Sequence, residues 1–406
     1  MIPDKKLLVL SSSYPRWLGD HEPGFIHELS KRLTDQFQVR VLCPHTAGTA
    51  VHENFEGVQV IRYRYAPDSL ETLVNDGGII NNLKQQPLKW LLVPPFLFGL
   101  LWRTWREINR WRPDLIHAHW LLPQGLVVAL LSLLNRQTPP FLATSHGADL
   151  FALRAWPLKF LKSIAVQKAA ALTAVSHAMT TELAALGAPL DKINVLPMGV
   201  DINQRFTPSS NQPRSYDEIL FVGRLVEKKG LRYLLAAMPE IIANHPSVSL
   251  TIVGFGPEES ERRAQATALG IAHKVNFIGA LAQTELPVLY RRAAVFVAPF
   301  IRARSGDQEG LPVTLMEAIA CGCPAITGNL EAMSDLFEAE EMDMCVAPAD
   351  IGMLAKRIII TLKRPDDARY RAECLRLRLS QRLSWETITQ QYNTLLQNML
   401  PSPFPK

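Results

Sequence analysis

Glu309 and Glu317 stand eight residues apart in the stretch Gly306-Asp-Gln-Glu-Gly-Leu-Pro-Val-Thr-Leu-Met-Glu-Ala-Ile-Ala-Cys-Gly-Cys-Pro324. A polar, glycine-containing loop precedes Glu309, and Leu311 to Ala320 read as the opening of a helix, with Pro312 near the first turn, where its missing N–H costs nothing. The first turns of such a helix offer free backbone N–H groups and a positive dipole end, which together make an anion site. One carboxylate precedes that end and the other lies about two turns along, so both can face one ligand. Carboxylates are poor partners for phosphate but good acceptors for sugar hydroxyls. The combination points to a sugar joined to a diphosphate.

A second constellation lies upstream. Val222-Gly-Arg-Leu-Val-Glu-Lys-Lys-Gly230 follows an apolar run and precedes a helical pattern. Gly223 lets the backbone approach a ligand, while Arg224 and Lys229 can converge on one anion, the guanidinium as a fork and the ammonium as a point charge. Beside a leaving diphosphate they would neutralise the charge that grows in a transition state. Taken alone, the pair reads equally as two solvated charges at a helix start. Val253-Gly-Phe-Gly-Pro257 lacks the third glycine and later acid of a dinucleotide fingerprint and reads as a tight strand-to-helix turn. No such fingerprint follows the first strand either, which argues against a nicotinamide dehydrogenase. No Asp-x-Asp occurs, so the simplest magnesium site is missing and no metal is expected. Nor is there a nucleophile elbow or a zinc helix.

Histidines close two apolar runs in the first half, His117 and His119 in Leu115-Ile-His-Ala-His-Trp120 and His146 in Ala143-Thr-Ser-His-Gly-Ala-Asp149. The carboxyl ends of strands are the functional edge of an open α/β sheet. His146 is therefore a candidate to hydrogen-bond a sugar or steady a phosphate, whereas His117 and His119 read equally as core and edge residues. The stretch Gly19 to Gly24 precedes a helix and could bring its backbone near phosphates.

These groups need a scaffold. The chain has 406 residues, 48% hydrophobic and 20% charged, which suits a folded protein of two or more domains. Five scattered cysteines argue for a reducing compartment and against a disulfide framework. The N-terminus reads as a first strand, not a signal peptide. Candidate strands alternate with helical patterns: Leu7–Ser11, Val39–Cys43, Val58–Arg62, Leu115–His117, Phe141–Thr144, Ala171–Val175 and Ile193–Leu196, then Glu218–Val222, Ser249–Val253, Val275–Ile278, Val295–Ala298 and Pro324–Thr327. That alternation means parallel sheet with crossover helices, twice over. The polar stretch Val200–Ser215 reads as the linker between two doubly wound α/β domains, with a ligand expected in a central cleft.

Net charge is +5, and the whole excess lies in the first half, where Lys and Arg outnumber Asp and Glu by 20 to 15 up to Val200. An acidic partner such as a membrane surface or a phosphorylated acceptor fits this imbalance; a nucleic acid is not expected. The segment 84–112 carries six basic residues, one acid, four tryptophans and two phenylalanines, with Arg103, Arg106 and Arg110 on one helical side and Leu101, Trp105 and Ile108 on another. Pro94 and Pro95 exclude a simple spanning helix. An interfacial segment and an ordinary domain helix with its tryptophans in the core both remain open, the first favoured.

At this point the residues resemble a family. Tyr14-Pro15 through Leu33, His117-Ala-His-Trp120, Ser145-His-Gly147, Leu196-Pro-Met-Gly-Val-Asp201, Val222-Gly-Arg224 with Lys229-Gly230, Gly254-Phe-Gly-Pro257, Glu309-Gly-Leu-Pro with Glu317-Ala, and the terminal Ser384-Trp385-Glu386 are similar to glycosyltransferase family 4, the group 1 glycosyltransferases of GT-B fold. The resemblance implies two Rossmann-like domains, 1–203 on the acceptor side and 204–383 on the donor side, with a helix over 384–406 packing back on the first. It implies a retaining, metal-independent transfer of a hexose-type sugar from a UDP-, GDP- or ADP-sugar. Arg224 and Lys229 would hold the diphosphate, Glu309 with Gly310, Leu311 and Pro312 the sugar side, and Glu317 the ribose. His146 would sit beside the donor sugar, Gly24 near the phosphates, and the base along Phe277, Ile278 and Gly279. Acceptors would be lipid-linked or polysaccharide precursors at the inner face of a cell membrane, and the protein cytoplasmic or peripheral there. Three departures from the family pattern stand out: Asn329–Asp335 replaces a Gly-Gly-Ile-x-Glu segment, Met342-Asp343 replaces Asn-Gly, and Phe255 replaces an Asp. They motivate an alternative, a non-catalytic nucleotide-sugar-binding subunit; a transferase acting on a soluble acceptor is another.

Overall fold

Short runs of Val, Leu and Ile flanked by turns make strands that are apolar on both faces, and such strands are stable only inside a parallel sheet covered by helices on each side. The computed structural model describes residues 3–400 apart from Pro23, Asp76 and Ser210. Two units form, 1–198 with 388–406, and 199–387. The first therefore ends five residues before the expected boundary at 203, and the second runs four residues past 383.

The first unit contains β1 (Lys6–Leu10), β2 (Gln38–Pro44), β3 (His52–Phe55), β4 (Val58–Tyr63), β5 (Leu115–His119), β6 (Phe141–Ser145), β7 (Ala171–Ala174) and β8 (Ile193–Val195). Their order across the sheet is β3-β4-β2-β1-β5-β6-β7-β8. β3 pairs antiparallel with β4, and the other pairings are parallel. Leu7, Leu8, Val9, Leu115, Ile116 and Leu142 are fully or nearly fully buried at its centre. The terminal helix Trp385–Met399 adds Ile388, Tyr392 and Leu396 to this core, with the Tyr392 hydroxyl donating to Leu196 O at 3.3 Å.

The second unit contains β9 (Glu218–Val222), β10 (Ser249–Val253), β11 (Val275–Gly279), β12 (Val295–Ala298), β13 (Ala325–Gly328) and β14 (Cys345–Val346). All neighbours in the order β11-β10-β9-β12-β13-β14 are parallel. The supposed linker Val200–Ser215 is part of this unit. Phe206 is buried against Tyr290, and Arg214 donates to the carbonyls of Tyr290, Ala293, Cys321 and Gly322 at 2.7–3.2 Å. Its polar composition reflects backbone pairing, not mobility.

Sheet order reverses between β1 and β5 in the first unit and between β9 and β12 in the second, and loops at such switch points form binding edges. In the second unit glycines bring these loops together. A Cβ on Gly230, which has φ +70°, would stand 1.8 Å from Pro299 O; one on Gly254 would stand 2.0 Å from Gly223 O; one on Gly256 would stand 2.5 Å from Leu225 O. Gly270 has the same φ with nothing within 4 Å. Gly230→Ala should therefore cost roughly 3 kcal/mol or more in urea unfolding, through clash and strain together, whereas Gly270→Ala should cost about 1–2 kcal/mol through strain alone. Equal costs would mean that the Gly230 contact relaxes freely.

Candidate functional site

The loop after β9 and the loop after β12 meet at the switch point, joined by Ile301 N–H donating to Lys228 O at 2.9 Å. Lys229 closes a short 3₁₀ turn, Glu227–Lys229, and its stem lies across Gly223, where an added Cβ would be 3.4 Å from Cδ and Cε. Its ammonium sits 5.0 Å from the Phe300 ring centroid and 3.3 Å from Glu309 Oε2. The second oxygen, Oε1, is 3.4 Å from the Lys228 ammonium, which also reaches Asp307 Oδ1 at 3.2 Å. Lys228, absent from the expected set, thus holds the catalytic candidate Glu309 from the other side.

Burial by itself would raise the Glu309 carboxyl, but the Lys228 and Lys229 ammonium groups bring it down to about 2. Burial lowers Lys229, Glu309 pulls it back up, and the charges of Lys228 and Arg224 push it down again. Arg224 is therefore close enough to Lys229 for the two like charges to act on each other.

Glu317 lies elsewhere on the same edge. Pro312 is the N-cap of the helix Val313–Ala320, with an extended ψ of 116°, so Glu317 is about one turn into the helix rather than two. It is buried, its Oε1 accepting from Gln283 Nε2 at 2.9 Å and its Oε2 from the Tyr290 hydroxyl at 3.2 Å. Burial raises its carboxyl to about 7, against the opposing effects of Gln283, Tyr290, Arg205 and Lys229. The two glutamates are thus shifted in opposite directions, Glu309 downward by its lysines and Glu317 upward by burial. Gly310, Leu311 and Pro312, between them, are buried.

Phe277, Ile278 and Gly279 form the end of edge strand β11. Gly279 O accepts from Gly254 N–H at 2.8 Å, and Arg263 covers the Phe277 ring at 4.4 Å. The Gly254–Pro257 turn is more than a strand ending, since Leu225 N–H donates to Phe255 O at 2.9 Å and locks it to the Arg224 loop. That bond uses the Phe255 backbone, which any side chain would supply. Asp343, a second departure, ion-pairs with Arg357 and Arg371. The third, Asn329–Asp335, folds into a 3₁₀ turn over Glu331–Asp335 with Ala332 and Met333 buried. These departures have structural partners of their own and leave the Lys–Glu cluster intact.

In the first unit, His146 follows β6 and meets His119 from β5, with His119 Nδ1 3.0 Å from His146 Nε2. Phe25 and Trp120 each lie 5.1 Å from the His146 ring. Phe25 opens the helix Phe25–Leu33 immediately after its N-cap, Gly24, so Gly24 and His146 share one edge. His117 and His119 are fully buried, and His117 Nε2 bonds Thr144 Oγ1 at 2.7 Å. Burial pushes His117 and His146 down to about 3, so these rings are neutral at physiological pH. Asp149 accepts from Leu121 N–H, Ser145 Oγ and His146 N–H at 2.8, 2.9 and 3.2 Å and fixes the turn that presents His146. Among the described residues, His45, Asp68 and Glu71 are grouped closely enough to hold a metal ion. His45 bonds Glu71, and Arg64 pairs with Asp68, which already engages their ligand atoms.

The group 1 glycosyl transferase family model matches residues 203–375, and the glycosyltransferase family 4 model matches 25–204. The chain is 28% identical to the glycogen synthase of Mycobacterium tuberculosis over 94% of this chain and 92% of that one. It is 29% identical to the putative colanic acid biosynthesis glycosyltransferase WcaL of Escherichia coli over 61% of each. The crystal structure of Anabaena HepE in complex with UDP-glucose superposes with a TM-score of 0.71 over 97% of this chain and 99% of that one, at 20% identity.

Glu317 supplies a test of this geometry. Its folded carboxyl titrates near 7 and its unfolded one near 4.5, so its contribution to stability is full below pH 4.5 and is lost as pH rises through about 7. The loss should reach about 3 kcal/mol, and Glu317→Gln should remove the pH-dependent part. Urea unfolding of both proteins from pH 4.5 to 8 measures it, and parallel profiles would contradict the assignment. Taken together, the two family models and the GT-B fold establish that this chain belongs to the group 1 glycosyltransferases of family 4.

Proposed function

We propose that the chain moves a hexose-type sugar from a nucleoside-diphosphate sugar to a glycan or lipid-linked acceptor, with retention of configuration and without a metal. The observation that carries this reading is the Lys228–Lys229–Glu309 cluster, with Arg224 acting on Lys229, at the switch-point edge of the second unit. Arg224 and Lys229 take the diphosphate and stabilise its charge as the bond from the anomeric carbon to the phosphate oxygen breaks. Glu309, freed from Lys229 by the phosphates, accepts from sugar hydroxyls beside Gly310, Leu311 and Pro312. Glu317 accepts from the ribose and the base lies along Phe277–Gly279; within the first unit, His146 and Gly24 are the groups offered to a sugar or a phosphate. HepE was solved with UDP-glucose, which supports a nucleotide-sugar donor here. The names of the mycobacterial and enterobacterial relatives, glycogen and colanic acid, support a polysaccharide acceptor.

A membrane-facing version of the acceptor is favoured by one surface. The helix Val93–Arg110 leaves Phe98, Trp102 and Trp105 exposed, the two tryptophans stacked at 5.0 Å. This exposure weighs against the alternative in which the tryptophans pack inside. Next to them Arg103, Arg106 and Arg110 line a groove of about 620 Å³ with Arg40, His52 and Gln59. Aromatic and basic stripes side by side suit an anionic interface, at about 1 kcal/mol per cation. Among the described residues no helix is long and apolar enough to cross a membrane.

Two measurements test these readings. Nucleoside-diphosphate release from UDP-, GDP- and ADP-sugars should single out one donor, and Glu309→Ala or Lys229→Ala should lower turnover about 10²–10³-fold. Unchanged turnover in both variants would sink the assignment, and donor binding without turnover would favour a binding subunit. In flotation with phosphatidylglycerol vesicles at low salt, wild type should rise with the lipid and a Trp102→Ser/Trp105→Ser/Arg106→Gln/Arg110→Gln variant should not. Wild type remaining at the bottom would favour the soluble acceptor.

A further inference from the structure

The hydrogen bond between His119 and His146 holds a single proton between two neutral rings, and its placement decides what His146 offers a ligand. The rings are inclined by only 21° with centroids 5.2 Å apart, so they lie nearly edge to edge. The 3.0 Å line from His119 Nδ1 to His146 Nε2 then runs along the N–H and lone-pair directions. A neutral imidazole has one donor and one acceptor nitrogen. If His146 were the donor, the His119 proton would have to sit on its Nε2, which is buried with no hydrogen-bond partner. An orphaned buried N–H is rarer in native structures than an under-used acceptor. His117 shows the same pattern, its Nε2 bonded to Thr144 and its Nδ1 buried without a partner.

We infer that His119 is a positioning residue: it donates from Nδ1 to His146 Nε2, and so fixes His146 as the tautomer that presents an Nδ1–H donor to a sugar or phosphate oxygen. The inference rests on the proposed role of His146 as a ligand-facing group. His119 itself, fully buried, touches no substrate; it acts through the ring it orients. Asp149 anchors the His146 backbone, and Phe25 and Trp120 flank the ring, which leaves His119 to set the proton's position. Without this bond the proton of His146 is free to move to Nε2, and the group facing the ligand becomes an acceptor.

The test uses the full chain with 15N-labelled histidine and no ligand, so that it does not depend on knowing the donor. His146 is assigned among the ten histidines by the signal lost in His146→Gln. Wild type should show a pyrrole-type shift at His146 Nδ1 and a pyridine-type shift at Nε2. His119→Phe, which keeps a flat ring but has no nitrogen, should give the other tautomer or a mixture. His119→Asn, whose amide N–H stands where Nδ1 was, should restore the wild-type pattern. In donor turnover the Phe variant should lose about 10–100-fold in kcat/KM and the Asn variant should recover most of it. A pyridine-type Nδ1 in wild type would overturn the inference, as would an unchanged tautomer in His119→Phe. Should the Phe variant fail to fold, the wild-type and Asn spectra still decide. A wild-type pattern as described with no turnover of any donor would defeat the transferase reading and leave the role of His119 supported.

Discussion

A carboxylate held between two ammonium groups at a partly dehydrated sheet edge governs the second unit. Burial works against charge on all three groups, while Lys228 and Lys229 bring the Glu309 carboxyl down, Glu309 and Asp307 raise Lys228, and Glu309 opposes the lowering of Lys229. Buried ion pairs of this kind add little net stability, since desolvation consumes most of the Coulomb gain. Their value is that they can be exchanged. In the proposed transfer, phosphate oxygens would replace the carboxylate at Lys229 and sugar hydroxyls the lysine at Glu309, leaving no bare charge behind. On that proposal the free protein keeps a stand-in for each half of the ligand.

Much of this scaffold was readable in advance. β9, β10 and β12 match their expected bounds because each is a bounded apolar run, and burial on both faces leaves no period to misread. β3 was missed because His52-Glu-Asn-Phe55 is a polar edge strand, and β14 because two residues carry no pattern. Val200–Ser215 was misjudged because composition cannot show that Arg214 will spend its donors on four backbone carbonyls.

The candidate site was legible in part. Arg224, Lys229, Glu309 and Glu317 stood out in the sequence, and the structure brings Lys229 against Glu309 while Glu317 bonds Gln283 and Tyr290. Lys228 did not stand out, because adjacent lysines look alike in a line of text and only the 3₁₀ turn sends both toward one carboxylate. Gln283 and Tyr290 are neutral, and their role depends on a helix that folds back over Glu317. His119 was balanced between core and function and proves to be buried while bonded to His146. In each case the missing information is direction, which side chains acquire only when distant elements pack.

The glycine contacts have a consequence for how such a chain can diverge. Where Gly254 meets Gly223 O and Gly230 meets Pro299 O, loop separation is set by peptide against peptide. Exchanging Leu for Ile or Val beneath the sheet alters volumes but not that spacing. Core drift and ligand choice are thereby uncoupled. The distance between the cations and the carboxylate is inherited with the backbone, while loops beyond it are free to be rewritten for another sugar.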